Sequence, residues 1–239
     1  MKRLVPLAVA AVMFAGGCSA AAPDAPAGSS APSVSPTAAA PSPTPSFSPY
    51  QLMETAMITD ELLLSVVKQP GRQERAVDDH WWKGFPAGIV TACGERPASS
   101  KADADDALTH VRSWILAADP SAENFRVVGQ EVLVLPKEKA EDVVAKAESL
   151  LANCKSYRED KVTHTKTAIR DLDMKSTAYR ATAACFINSA DKKVHCSMYF
   201  GRGSVAVVIN IYGLDQKSTE ALAIDVKSAV ELQLAQLPA

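Results

Sequence analysis

Five cysteines constrain this chain more than any other feature, because the first of them, Cys18, closes an export signal. Lys2 and Arg3 precede an uncharged apolar run from Leu4 to Phe14, and Ala15-Gly16-Gly17 then sets small residues ahead of Cys18. That order reads as a secretory signal too short to span a bilayer as a mature helix. Small residues before a cysteine at this place match lipoprotein processing, in which the thiol takes a diacylglycerol and signal peptidase II cuts between Gly17 and Cys18. Ala15 stands where Leu is usual, and the alternative is an ordinary secretory cut at Ala20 or Ala22 that discards Cys18. On the lipoprotein reading residues 1–17 are the signal peptide and Cys18 is the lipidation site. The mature chain then sits on the extracytoplasmic face of the cell membrane, where two or three acyl chains suffice for stable attachment.

With Cys18 removed, Cys93, Cys154, Cys185 and Cys196 remain in an oxidising compartment, so two disulfides are expected. Tyr179 to Ile187 and Lys193 to Phe200 both alternate, and Asn188-Ser189-Ala190-Asp191-Lys192 is a polar turn between them, the pattern of a β-hairpin. Cys185 shares a face with Ala181, Ala183 and Ile187, and Cys196 with Val194, Met198 and Phe200. The two cysteines lie nearly equidistant from the turn centre, which pairs Cys185 with Cys196 and leaves Cys93 for Cys154. A metal site using His195 and Cys196 is the competing reading, but no C-x-x-C or H-x-x-x-H spacing supports it, and neither metal nor cofactor is expected.

From Ser19 to Pro49 the chain is almost wholly Ala, Pro, Ser, Thr and Gly, with Asp24 its only charge. So little apolar bulk does not offset ordering entropy, and residues 18–49 read as a lipidated, disordered linker. Its prolines bias it toward polyproline II at roughly 3 Å per residue, a tether of up to about 90 Å. Loss of Lys2 and Arg3 moves the formal charge from −2 to −4, a mildly acidic balance that gives no support for nucleic-acid binding.

Residues 50–239 form one extracytoplasmic domain, long enough to bury a core of its own. Within Lys137 to Cys154, Ala140, Val143, Val144, Ala147, Leu150, Leu151 and Cys154 fall on one face of a helix, behind Pro136. Ser218 to Leu237 is a second amphipathic helix, with Leu222, Val226, Ala229, Val230 and Leu237 inward. An apolar strand precedes each, Arg126 to Leu135 and Ser204 to Tyr212, so a strand–turn–helix unit occurs twice. Gly201-Arg202-Gly203 reads as a turn, not a phosphate loop, because no helix follows it. Gln51 to Lys68 reads as one helix ending before Pro70-Gly71, Lys161 to Arg170 as a Thr-rich strand, and Ala107 to Leu116 as either helix or strand. The expected fold is α+β: a mostly antiparallel sheet with helices packed on one face and two disulfides.

Catalytic signatures are missing: there is no G-x-S-x-G, H-E-x-x-H, Walker loop or dinucleotide fingerprint, and His80, His110, His164 and His195 are scattered. The expectation is a domain that is not an enzyme. The most provocative cluster is Asp78-Asp79-His80-Trp81-Trp82. Exposed tryptophan rings beside carboxylates stack on sugars or on a partner surface, which makes Trp81, Trp82, Asp78 and Asp79 the candidate ligand surface. The plainer account puts one Trp in the core and the other partly covered, with the acids solvated beside them.

Arg112-Ser113-Trp114, the run Val128 to Leu135 entering a helix that ends in Cys154, and the Cys185/Cys196 pair before a Val-rich strand and final helix together carry a resemblance. From about Met57 onward the chain resembles the sensor-type extracellular domains of actinobacteria. That group includes the outer domain of a mycobacterial Ser/Thr kinase, the kinase H-like extracellular domain, and many free-standing lipoproteins. The resemblance implies an α/β sandwich with two disulfides and a ligand groove, and it places Arg112-Ser113-Trp114 in or near a strand. It supplies no binding residue. Three readings follow: a tethered binding or sensor domain for an envelope ligand, a protein-interaction or structural module of the envelope, and a hydrolase with a dispersed site.

Overall fold

The computed structural model describes residues 47–67, 75–83, 92–95, 107–116, 126–169, 172–213 and 215–238, with residues 75–83 described by their backbone. The chain divides into two units, Met1–Thr44 and Pro45–Ala239, and all described residues belong to the second. The signal peptide, Cys18 and nearly all of the 18–49 linker lie outside the described residues.

The elements run α1 (Pro49–Ala56), α2 (Asp60–Val66), β1 (Arg75–Lys83), β2 (Leu108–Leu116), β3 (Arg126–Val134), α3 (Ala140–Asn153), β4 (Ser156–Glu159), β5 (Val162–Thr167), β6 (Arg180–Asn188), β7 (Val194–Arg202), β8 (Val205–Gly213) and α4 (Gln216–Leu234). The strands make one sheet in the order β1-β2-β3-β8-β7-β6-β5-β4, and every neighbouring pair is antiparallel. Two meanders, β1 to β3 and β4 to β8, therefore meet at the β3–β8 seam. The α+β class, the antiparallel sheet and both disulfides agree with the sequence reading, and the segment that reads as either helix or strand is a strand over Leu108–Leu116.

The helices do not share one face, and that expectation is corrected. On β8, Val205, Val207, Ile209 and Ile211 join a core with α1, α2 and α4, whereas Ala206 and Val208 join a second core under α3. β7 divides in the same way, with Met198 and Phe200 on the first side and Tyr199 on the second. The near-continuous apolar run of β8 is what a strand buried on both faces requires. The two strand–turn–helix units thus exist, but α3 and α4 close opposite faces of the sheet.

The segment expected as one helix holds two, Pro49–Ala56 and Asp60–Val66. Thr59 caps α2 through its hydroxyl, which accepts from the Leu62 N–H at 3.2 Å, and the chain between the helices is held by side chains from the sheet. Buried Gln130 accepts from the Ile58 N–H (2.9 Å) through Oε1 and donates from Nε2 to the Ala56 carbonyl (3.0 Å). Arg112 Nη1 donates to the Ile58 carbonyl and Trp114 Nε1 to Asp60 Oδ1 (2.8 Å). An interrupted helix leaves orphan backbone groups, and one buried amide supplies both a donor and an acceptor for them. Arg112 and Trp114 therefore act in pinning the helix break to β2. At the start of α1, Ser48 and Gln51 form a reciprocal capping box.

Cys185 is directly opposite Cys196 in the β6–β7 ladder and bonded to it, and Cys93 is bonded to Cys154 at the end of α3. Gly201 has a steric role besides its place near the turn. A Cβ there would lie 2.5 Å from the Ala140 carbonyl oxygen, so only glycine lets α3 start against β7. Gly203 then accepts the Ala140 N–H through its carbonyl (2.8 Å), while its own N–H donates to Glu141 (2.7 Å).

Candidate functional site

The α3 side of the sheet changes character along its strands. Near the start of α3 it presents Leu133, Ala206 and Tyr199 to a closed apolar core. Farther along the same strands the inward positions become polar. Ser197 Oγ donates to Asn210 Oδ1 directly across the β7–β8 ladder at 2.7 Å. Gly129, which stands opposite both Ser113 and Asn210, leaves a gap between them. Glu131 lies two residues before Leu133 on the same face of β3, between Val111 and Val208.

Three buried polar atoms on this face have no hydrogen-bond partner among the described residues: Thr109 Oγ1, Glu131 Oε2 and His164 Nδ1. Burial alone pushes the Glu131 carboxyl up to about 8, because ionising it in place forfeits hydration that nothing nearby replaces. At neutral pH Glu131 is therefore mostly a carboxylic acid, able to donate one hydrogen bond and accept another.

The far part of the face is a row of rings. Tyr157 of β4 stacks on His164 of β5 at 4.7 Å, His164 meets His195 of β7 edge-on at 4.9 Å, and His195 stacks on Tyr212 of β8 at 5.7 Å. Phe186 fills the intervening strand, stacked on His195 at 5.4 Å. The strand register dictates the row, since Tyr157 pairs with His164, Phe186 with His195, and His195 with Tyr212. Burial, followed by the neighbouring His164, lowers His195 to about 4, so this imidazole is neutral at pH 7. With the His195 proton on Nδ1, the Tyr157 hydroxyl donates to Nε2 at 3.0 Å. Burial also raises the Tyr157 phenol, which stays protonated. A cavity of about 110 Å³ opens beside His164, His195 and the half-exposed Tyr212, with Asp191 and Lys193 of the β6–β7 turn at its rim. At roughly 30 Å³ per water it has room for a few waters or one small polar group.

The residues singled out from the sequence fall elsewhere. Asp78, Asp79, Trp81 and Trp82 lie on β1, the strand at the opposite edge from β4, where Asp79 pairs with Arg112, Trp81 with His110 and Trp82 with Thr109. Their side chains lie outside the described residues. The four histidines are scattered along the sequence, whereas the fold brings His164 and His195 into contact. The missing signal was the β4–β5 hairpin. Its turn uses Asp160 and Lys161 at φ 44° and 70°, without the Asn-Gly or Asp-Gly pair that announces such turns. Among the described residues no group of three or more His, Cys, Asp or Glu side chains is arranged to hold a metal. Among the same residues no helix is long and apolar enough to cross a membrane.

No protein-family model matches the chain, and no curated protein matches it. Among solved structures it is similar to the crystal structure of the extracellular domain of PknH from Mycobacterium tuberculosis, with 12% sequence identity and a TM-score of 0.47. The match covers 75% of this chain and 95% of that chain.

Proposed function

We propose that this chain is a lipid-anchored, extracytoplasmic binding domain of the sensor type, which takes a small, uncharged polar ligand from the cell envelope on the α3 side of its sheet. The observation that carries the reading is Glu131, whose Oε2 is buried on that face without a hydrogen-bond partner among the described residues. A buried polar group without a partner costs about 1–3 kcal/mol, and a ligand or water that completes it removes that cost. A protonated Glu131 suits hydroxyl or amide groups on the ligand better than a cation. Export through residues 1–17 and attachment at Cys18 would place this face outside the membrane, at the end of an Ala/Pro/Ser tether.

Two measurements test the reading separately. Cys18→Ser should move the protein from the membrane fraction into the medium, and a variant that stays with the membrane would remove the anchor. For the ligand, native mass spectrometry of the full chain extracted from envelopes should show a small molecule travelling with the wild type and lost from Glu131→Ala. A bare mass for the wild type would leave the domain without the ligand proposed for it. The second reading, a protein-interaction module, gains its own support from the outer edge of β6.

A further inference from the structure

The β5–β6 ladder covers only half of β6. Thr167 pairs with Cys185, and beyond that point the chain leaves the sheet, so Arg180–Ala184 have no neighbour on that side among the described residues. The hydrogen bonds identify which backbone groups this leaves open. Asn188 N–H donates to the Lys193 carbonyl across the β6–β7 turn, and Ser189 N–H donates to Thr163 on the opposite side. Even-numbered residues of β6 thus bond toward β7 and odd-numbered ones toward β5. Ala181 and Ala183, both half-buried, therefore aim their N–H and C=O groups off the edge. The edge does not face open water alone. Residues 172–176 return alongside it across a groove of about 570 Å³, walled by Leu172 and Met174 on one side and by β6 on the other.

We propose that this groove is a strand-addition site that takes one extended peptide segment of a partner protein, antiparallel to Arg180–Ala184. Three features select that occupant. Unpaired, alternating N–H and C=O groups are satisfied by another extended backbone at about 4.8 Å, and by little else. The site is a notch between β5 and the 172–176 segment, which admits a single chain more readily than the edge of a second folded sheet. The two sides of the groove also differ in chemistry. Leu172, Met174 and Tyr179 pack toward the α4-side core, whereas Arg180 pairs with Glu148 of α3 at 2.7 Å on the other face. An added strand would accordingly set apolar side chains against the first group and polar ones against the ion pair, which specifies an apolar–polar alternation. This surface is independent of the face assigned to the small ligand.

Residue-resolved hydrogen-exchange mass spectrometry of the full lipidated chain in detergent micelles tests the proposal. In the free protein the Ala181 and Ala183 amides should exchange on the order of 100-fold faster than those of Thr182 and Ala184, which bond to β7. Millimolar acetyl-Val-Thr-Val-Thr-Val-amide should slow Ala181 and Ala183 by about tenfold or more, and a copy N-methylated at alternate residues should not. Slow exchange of Ala181 and Ala183 without peptide would mean that the edge is already covered. Equal slowing by both peptides, or by neither, would likewise overturn strand addition.

Discussion

Glu131→Gln should stabilise the folded chain by about 2–4 kcal/mol at pH 8 and leave its stability unchanged near pH 4. The sign follows from the folded-state value of about 8 against an ordinary value of 4.5. Below 4.5 both the folded and the unfolded chain hold the proton, and glutamine and glutamic acid are equivalent. Between 4.5 and 8 the unfolded chain releases the proton while the folded one retains it, so wild-type stability falls as pH rises and levels off above 8. Glutamine keeps the shape and has no proton to lose. Urea denaturation at the two pH values reads the difference directly. Equal gains at both would show that Glu131 is not held protonated, and would remove the main support for a ligand site at that position. His195 shapes the opposite limb. Its folded value is lowered to about 4, so the unfolded chain binds a proton first, and stability is lost as pH falls from about 6.5 toward 4.

Removing the bridge between Cys93 and Cys154 with a double alanine substitution should cost about 4 kcal/mol, against about 3 for Cys185 and Cys196. The two bridges enclose separations of 61 and 11 residues, and the longer loop has more chain entropy to lose when closed. Their native-state surroundings reinforce the order. Cys185 and Cys196 are already directly opposite in a ladder of nine-residue strands, so β6 and β7 stay aligned without the bond. Cys93 lies in a short turn, Ala92 to Glu95, that this bond ties to the end of α3. Thermal melts of the two double variants should separate them, with the Cys93/Cys154 variant lower. The reverse order would mean that the turn is held chiefly by packing.

The parts legible in the sequence share a physical basis. Helix α3 is legible in Ala140, Val143, Val144, Ala147 and Leu151, all of them buried, because one apolar stripe at helical spacing has a single way to be covered. The Cys185–Cys196 pair followed from hairpin alternation, since a register slip would turn every side chain to the wrong face. Such local rules do not reach every element. Gln51 to Lys68 carried a helical pattern, but its break at Met57–Thr59 depends on Gln130, far along the chain, whose amide replaces the interrupted helical bonds. The candidate site was less legible still, because its members come from every strand from β2 to β8 and no spacing along the chain links them.

Local rules along the chain thus reach the class of fold, the principal strands and helices, the cysteine partners and the expectation of an anchored, exported domain. They can do so because hydrophobic period, turn chemistry and an even cysteine count are local or nearly local properties. Long-range packing alone shows that the helices cover both faces of the sheet, that Glu131 Oε2 is buried without a partner, that His164 meets His195, and that half of β6 has no neighbouring strand among the described residues. Each of these depends on which strands become neighbours in space, and long-range pairing is set by the packing of the whole core, not by any segment within it.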